Sequence, residues 1–206
     1  MLRLWGRRNS INVQKVLWCL GELGLEHERI DAGLGFGVND TPEFEALNPN
    51  RLVPVIDDAN FVLWESNVIV RYLAERYGSG SLCPDDIRAR YDVERWMDWQ
   101  AAQLWAAMRP VFLGLVRTPP ERRDHKAIEQ GIGDCERAFG ILDRHLAERA
   151  FVGGARFTMG DIPVGVTAHR WYLLDVARTA FPNLRRWYEG VAARPAFRDN
   201  VNAPLS

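Results

Sequence analysis

The spacing of apolar residues changes character near residue 79, and that change limits the folds open to this chain. Before it, short strand-like runs alternate with helical ones; after residue 86 only helical spacing is found. "LRLW" reads as a strand, followed by the turn-like "GRRNS". In "NVQKVLWCLGELG", Val13, Val16, Leu17, Leu20 and Leu23 make one apolar stripe, and Gly24 stops it. "HERID" reads as a second strand and the glycine-rich "AGLGFGVND" as a loop. "TPEFEALN" reads as a short helix, with Thr41 as N-cap and Pro42 at the first helical position. The runs "LVPVI" and "FVLWE" flank the turn-like "DDAN", the spacing of a hairpin. "ESNVIVRYLAERYG" places Ile69, Val70, Leu73 and Tyr77 on one face and ends at Gly78. The order is β-α-β-α-β-β-α.

"SGSLCPDD" has the Gly, Ser and Pro of a linker. The expected division is an α/β domain at 1–78, a linker at 79–86 and an all-α domain at 87–206. In the last, "IRARYDVERWMDWQAAQLWAAMRP" reads as one long helix, stopped or kinked at Pro110. "KAIEQGIGDCERAFGILDRHLAER" is a second helix, with Ile128, Ile132, Cys135, Phe139, Leu142 and Leu146 on its apolar face.

Composition narrows the function classes. The 206 residues are 47% apolar and 26% charged, as in ordinary globular proteins. A net charge of −1 without a basic block gives no reason to expect nucleic acid. No stretch approaches the roughly 20 apolar residues of a membrane span, and "MLRLWGRRNS" has no signal-peptide core. Cys19, Cys83 and Cys135 form neither a CxxC pair nor a disulfide framework, so a cytoplasmic setting is expected. His27, His125, His145 and His169 lack metal spacing and are assigned no chemistry.

Three places carry chemistry. Pro54 lies inside an apolar run where a strand residue donates its N–H. It is either an edge-strand proline without a ligand role or a cis proline at a purposeful turn. Glu65 and Ser66 open a helix, whose unpaired N–H groups suit a carboxylate. Equally, Ser66 is a plain cap and Glu65 a complement to the helix dipole. Ser10 and Asn12 stand at the start of the first helix, as hydroxyl and amide donors or as simple caps. In "FTMGDIPVG", Thr158 and Asp161 have the spacing of a capping box before an apolar run, a folding signal without a catalytic role.

"RNSINVQKVLW", "NPNRLVPVI", "LWESNVIVRYLAERYG" and "FTMGDIPVG" together resemble the cytosolic glutathione S-transferases, over essentially the whole chain. With "FLGLVRTPPERRD", the likeness is to a bacterial, theta-like, serine-type subgroup. The resemblance implies a thioredoxin-like α/β domain followed by an all-α domain, and a cytoplasmic homodimer with a detoxification role. It implies reduced glutathione as co-substrate, with no permanently bound cofactor and no metal. The Val53–Pro54 bond is then expected to be cis, with the N–H and C=O of Val53 pairing, strand-like, with the cysteinyl unit. Ser66 is expected to take the γ-glutamyl carboxylate and Glu65 the ammonium, while Arg51 either approaches the tripeptide or stays in solvent.

The same likeness gives Ser10 the catalytic role. A free thiol is a few per cent ionised near neutral pH, and a hydroxyl donor beside a helix N-terminus favours the thiolate. Residues 1–20 contain no Tyr, which excludes the tyrosine-type classes, and Cys19 lies inside the helix, which argues against a glutaredoxin-like thiol enzyme. The departure is Asn12, where Pro is frequent; Asn12 then assists or replaces Ser10, with a backbone N–H or Arg8 as the remaining alternatives. A small hydrophobic electrophile is expected between the domains, with Trp99, Trp105 and Arg109 of the long helix as candidate contacts. The alternatives are a glutathione-dependent peroxidase or dehalogenase, and a non-catalytic binding module.

Overall fold

Strand β1 (Leu2–Trp5) takes an inner place in a four-stranded sheet of order β2-β1-β3-β4. It pairs in parallel with β2 (His27–Ile30) and antiparallel with β3 (Val55–Asp58), which pairs antiparallel with β4 (Phe61–Trp64). This computed structural model describes residues 1–205.

Alternation along the strands gives the sheet two apolar faces. Trp5 and Val55, paired in register, pack with Ala32 and with Phe44 of α2 (Pro42–Leu47). Leu4 and Ile56, one residue along, are fully buried on the opposite face. Helices α1 (Ile11–Leu23) and α3 (Ser66–Gly78) pack against each other, and α9 (Pro195–Asn200) packs on α1. Residues Met1–Pro84 and Pro195–Ala203 accordingly form one compact unit, and Asp85–Arg194 are the body of a second.

The coverage by α9 changes the character of α1. The sequence predicts one apolar stripe, yet every residue from Val13 to Leu20 is buried, including Gln14 and Lys15. The Gln14 amide donates to the Val201 carbonyl, and Trp18 meets Phe197 edge-on at 4.9 Å. Gly24 closes the helix in the left-handed conformation, φ 63°, as glycine does readily.

The hairpin explains where Pro54 stands. β3 begins at Val55, so Pro54 precedes the ladder and owes it no N–H. Ala59 and Asn60, both at positive φ, make the two-residue turn between β3 and β4. Tyr77, predicted on the apolar face of α3, is instead 41% exposed, and its hydroxyl donates to Asp58.

In the second unit the long helix departs from the sequence reading. α4 (Ile87–Trp99) and α5 (Trp105–Phe112) are separated by a π turn at Gln100–Leu104, and a second π turn follows at Leu113–Arg117. Pro110 neither stops nor ends the helix; it lies within α5. α6 (His125–His145) crosses α5 at Gly131, where an added Cβ would lie 3.1 Å from the Ala107 carbonyl. α7 (Asp161–Leu173) and α8 (Pro182–Ala192) complete the unit. The buried Asp161 carboxylate accepts from the Val152 N–H (2.8 Å), the Thr158 N–H (2.9 Å) and the Trp187 indole (2.9 Å). Among the described residues no helix is long and apolar enough to cross a membrane.

Candidate active site

Beyond α2 the chain turns sharply at "NPNR". Asn48, 3% exposed, ties the turn together: its amide donates to the Leu52 carbonyl (2.9 Å) and its side-chain oxygen accepts from the Asn50 N–H (3.0 Å). Arg51 closes the turn at φ 53°. Val53 and Pro54 follow, joined by a cis peptide bond. Among the described residues no group pairs with the N–H or C=O of Val53. Asn48, Leu52, Val53 and Pro54 form one wall of a cleft, and Asn12, Glu65 and Ser66 line the rest.

Two helices begin at this cleft, and neither is capped by a side chain. Glu65 is the N-cap of α3 at φ 73° and makes no side-chain capping bond. Ser66 is the first helical residue, so it is not the cap. Ser10 is the N-cap of α1, and its hydroxyl does not cap either. Elsewhere Thr41, Asp86 and Asp124 each accept an N–H of the helix they precede. The open N–H groups and positive dipole ends of α1 and α3 therefore favour an anion in the cleft.

The predicted residues divide as follows. Val53, Pro54, Glu65, Ser66 and Asn12 come together on the cleft wall. Ser10 is buried at 7% exposure and is not among the lining residues. Arg51 lies outside, its guanidinium paired with Glu45 at 2.5 Å. In the helical unit, Trp99 packs edge-on against Trp96 and lines a groove with Gln103, Asp134, Arg137 and Ile141. Trp105 packs on Phe112, and Arg109 is exposed; neither lines that groove. The protein's own thiols are all buried, and burial raises those of Cys19 and Cys135, the latter to about 12, so neither supplies a thiolate near neutral pH.

One residue of the site escapes the sequence reading. Lys15, 4% exposed, places Nζ 3.4 Å from the Ser66 hydroxyl. Burial lowers its pKa to about 7, while the nearby Glu65 charge opposes that fall. The available signal was an unbroken run of buried positions around "QK" in α1, which appears only once α9 is docked.

A thioredoxin-like sheet and helix set carrying a cleft at two helix N-termini without side-chain caps, followed by an all-helical unit, defines the class of fold and site. Residues 1–75 match the family description "Glutathione S-transferase, N-terminal domain", and residues 126–190 match "Glutathione S-transferase, C-terminal domain". The chain is 45% identical over 208 residues to glutathione S-transferase GstB of Escherichia coli (strain K12), covering 100% of both chains. It is 31% identical to glutathione S-transferase 3 of Zea mays, covering 98% of this chain and 94% of that one. The theta class glutathione S-transferase from Xanthomonas axonopodis pv. citri, solved with glutathione bound, superposes with a TM-score of 0.96 at 41% identity, covering 100% of this chain and 99% of that one. The chain belongs to the glutathione S-transferase family.

Proposed function

We propose that this chain binds reduced glutathione in the cleft of its first unit, stabilises the thiolate and directs it at a small hydrophobic electrophile. The observation that carries the reading is the meeting, in one cleft, of two uncapped helix N-termini with the unpaired backbone of Val53. The N–H and C=O of Val53 suit an extended peptide, here the cysteinyl unit. Ser66 and the head of α3 take the γ-glutamyl carboxylate, and exposed Glu65 takes its ammonium. Arg51, paired with Glu45, is assigned no contact with the tripeptide. Asn12, on the cleft wall, is the first candidate donor to the sulfur, with Ser10 behind it. Trp99, Trp105 and Arg109 are kept as candidate contacts for the electrophile. A cytoplasmic homodimer fits this reading.

Titration calorimetry with glutathione tests binding: Ser66→Ala should weaken it about tenfold. Absence of binding by the wild type at millimolar glutathione would overturn the reading in favour of a non-catalytic module. Thiolate absorbance of the complex across pH then separates the two donors. A hydrogen bond to a charged acceptor is worth roughly 1.5–3 kcal/mol, so losing it raises the thiol pKa by about 1–2. Asn12→Ala should show this rise; a rise seen only in Ser10→Ala returns the role to the serine.

A further inference from the structure

We propose that Lys15 is a positioning residue of this cleft: its ammonium, held behind the head of α3, turns the Ser66 hydroxyl proton outward, toward the carboxylate of the bound γ-glutamyl group. The inference rests on the reading of the cleft as a glutathione site. Its ground is the contact between two helices: Lys15 Nζ of α1 lies 3.4 Å from Ser66 Oγ, the first residue of α3, and both side chains are buried.

The chemistry follows from counting protons. An ammonium carries three donors and no acceptor; a hydroxyl carries one donor and two acceptor lone pairs. Facing a charged lysine, Ser66 Oγ can only accept, so its proton is left for another group. At 3.4 Å the contact is long for a hydrogen bond, and the effect is carried by charge: an ammonium repels a hydroxyl proton turned toward it. Ser66 is also the first helical residue, so no carbonyl of a preceding helical turn competes for that proton. Among the described residues Lys15 is the only polar partner of the Ser66 hydroxyl. Once Lys15 is neutral, its lone pair can accept that proton, and the hydroxyl turns inward.

The arrangement ties ligand binding to a proton. Burial leaves the pKa of Lys15 at about 7, so the charged form is only partly populated near neutrality. Charged groups on the elements packed around α1 are Arg71, Glu75 and Arg76 on α3, and Arg198 and Asp199 on α9. The charge of Glu65, at the head of α3, acts on Lys15 and favours its ammonium. An incoming carboxylate on the far side of Ser66 favours the ammonium and should draw a proton into the complex.

The test uses S-methylglutathione, which has no thiol proton to release. Calorimetric titrations of the folded wild type, run from about pH 6 to about pH 8.5 in buffers of differing ionisation enthalpy, report affinity and proton exchange together. Wild type should take up a fraction of a proton on binding and lose about tenfold in affinity across the range. Lys15→Met should bind about tenfold more weakly at the acid end, with no proton uptake and no slope. Lys15→Arg, charged throughout, should keep the acid-end affinity to the alkaline end. In a Ser66→Ala background Lys15→Met should change little, because the two act through one hydroxyl. The proposal is overturned if wild type binds with flat affinity and no proton uptake, or if Lys15→Met keeps the wild-type affinity and slope. Should Lys15→Met fail to fold, the wild-type slope and proton uptake decide alone. Failure of the wild type to bind S-methylglutathione at any pH overturns the glutathione reading itself, a different result from flat binding.

Discussion

Lys15 carries a cost that its position makes measurable. Its folded-state pKa, about 7, lies below the value near 10.4 of an unfolded chain, so between those limits the unfolded state binds more protons. Stability from this residue therefore rises with pH through that window, and below it the buried charge weighs fully against folding. Lys15→Met, similar in length and uncharged, should melt higher than wild type near pH 6, with the gap closing as pH approaches about 10. Thermal melts at several pH values check this; a gap independent of pH would place the effect in packing. None of this was legible in "NVQKVLW", where a lysine beside an apolar stripe reads as solvated. Ser66 was legible as a helix-opening residue, but capping explained it as well as ligand binding did. What separates the two is backbone detail: α3 takes Glu65 as its N-cap and leaves the Ser66 hydroxyl to Lys15.

At the scale of elements, local chemistry was readable where one residue decides a boundary. Thr41 accepts the Phe44 N–H at 3.2 Å with Pro42 behind it, and Gly24 ends α1, both as their types dictate. Apolar spacing was less reliable in the long helix, because a π turn adds a residue without breaking the pattern enough to show. The "FTMGD" signal was read as a capping pair, yet the structure makes Asp161 a hub between α7, α8 and the Val152 loop. Asp161→Ala would strand four buried donors, the Thr158 hydroxyl among them, at about 1–3 kcal/mol each. Denaturant unfolding should show a loss of about 3 kcal/mol or more; a loss under about 1 kcal/mol would mean that water or rearrangement satisfies those groups.

For the whole molecule, the change in spacing near residue 79 was enough to separate an α/β part from a helical one. It was not enough to place α9, because nothing local in "PAFRDN" points back to α1. The partners are specific: Phe197 against Trp18, the Val201 carbonyl on Gln14, and the Asp199 carbonyl on Arg8. Phe197→Ala should destabilise by about 3–5 kcal/mol, and hydrogen exchange should show the loss in α1. Protection lost only in Asp85–Arg194 would contradict the packing described. The return of α9 also sets an order in time. On the ribosome the sheet and α1 emerge early, but the helix that seals α1 is made only after all of Asp85–Arg194. The unit that is translated first is therefore completed last, since the Trp18 side of α1 gains its Phe197 cover only when α9 is made.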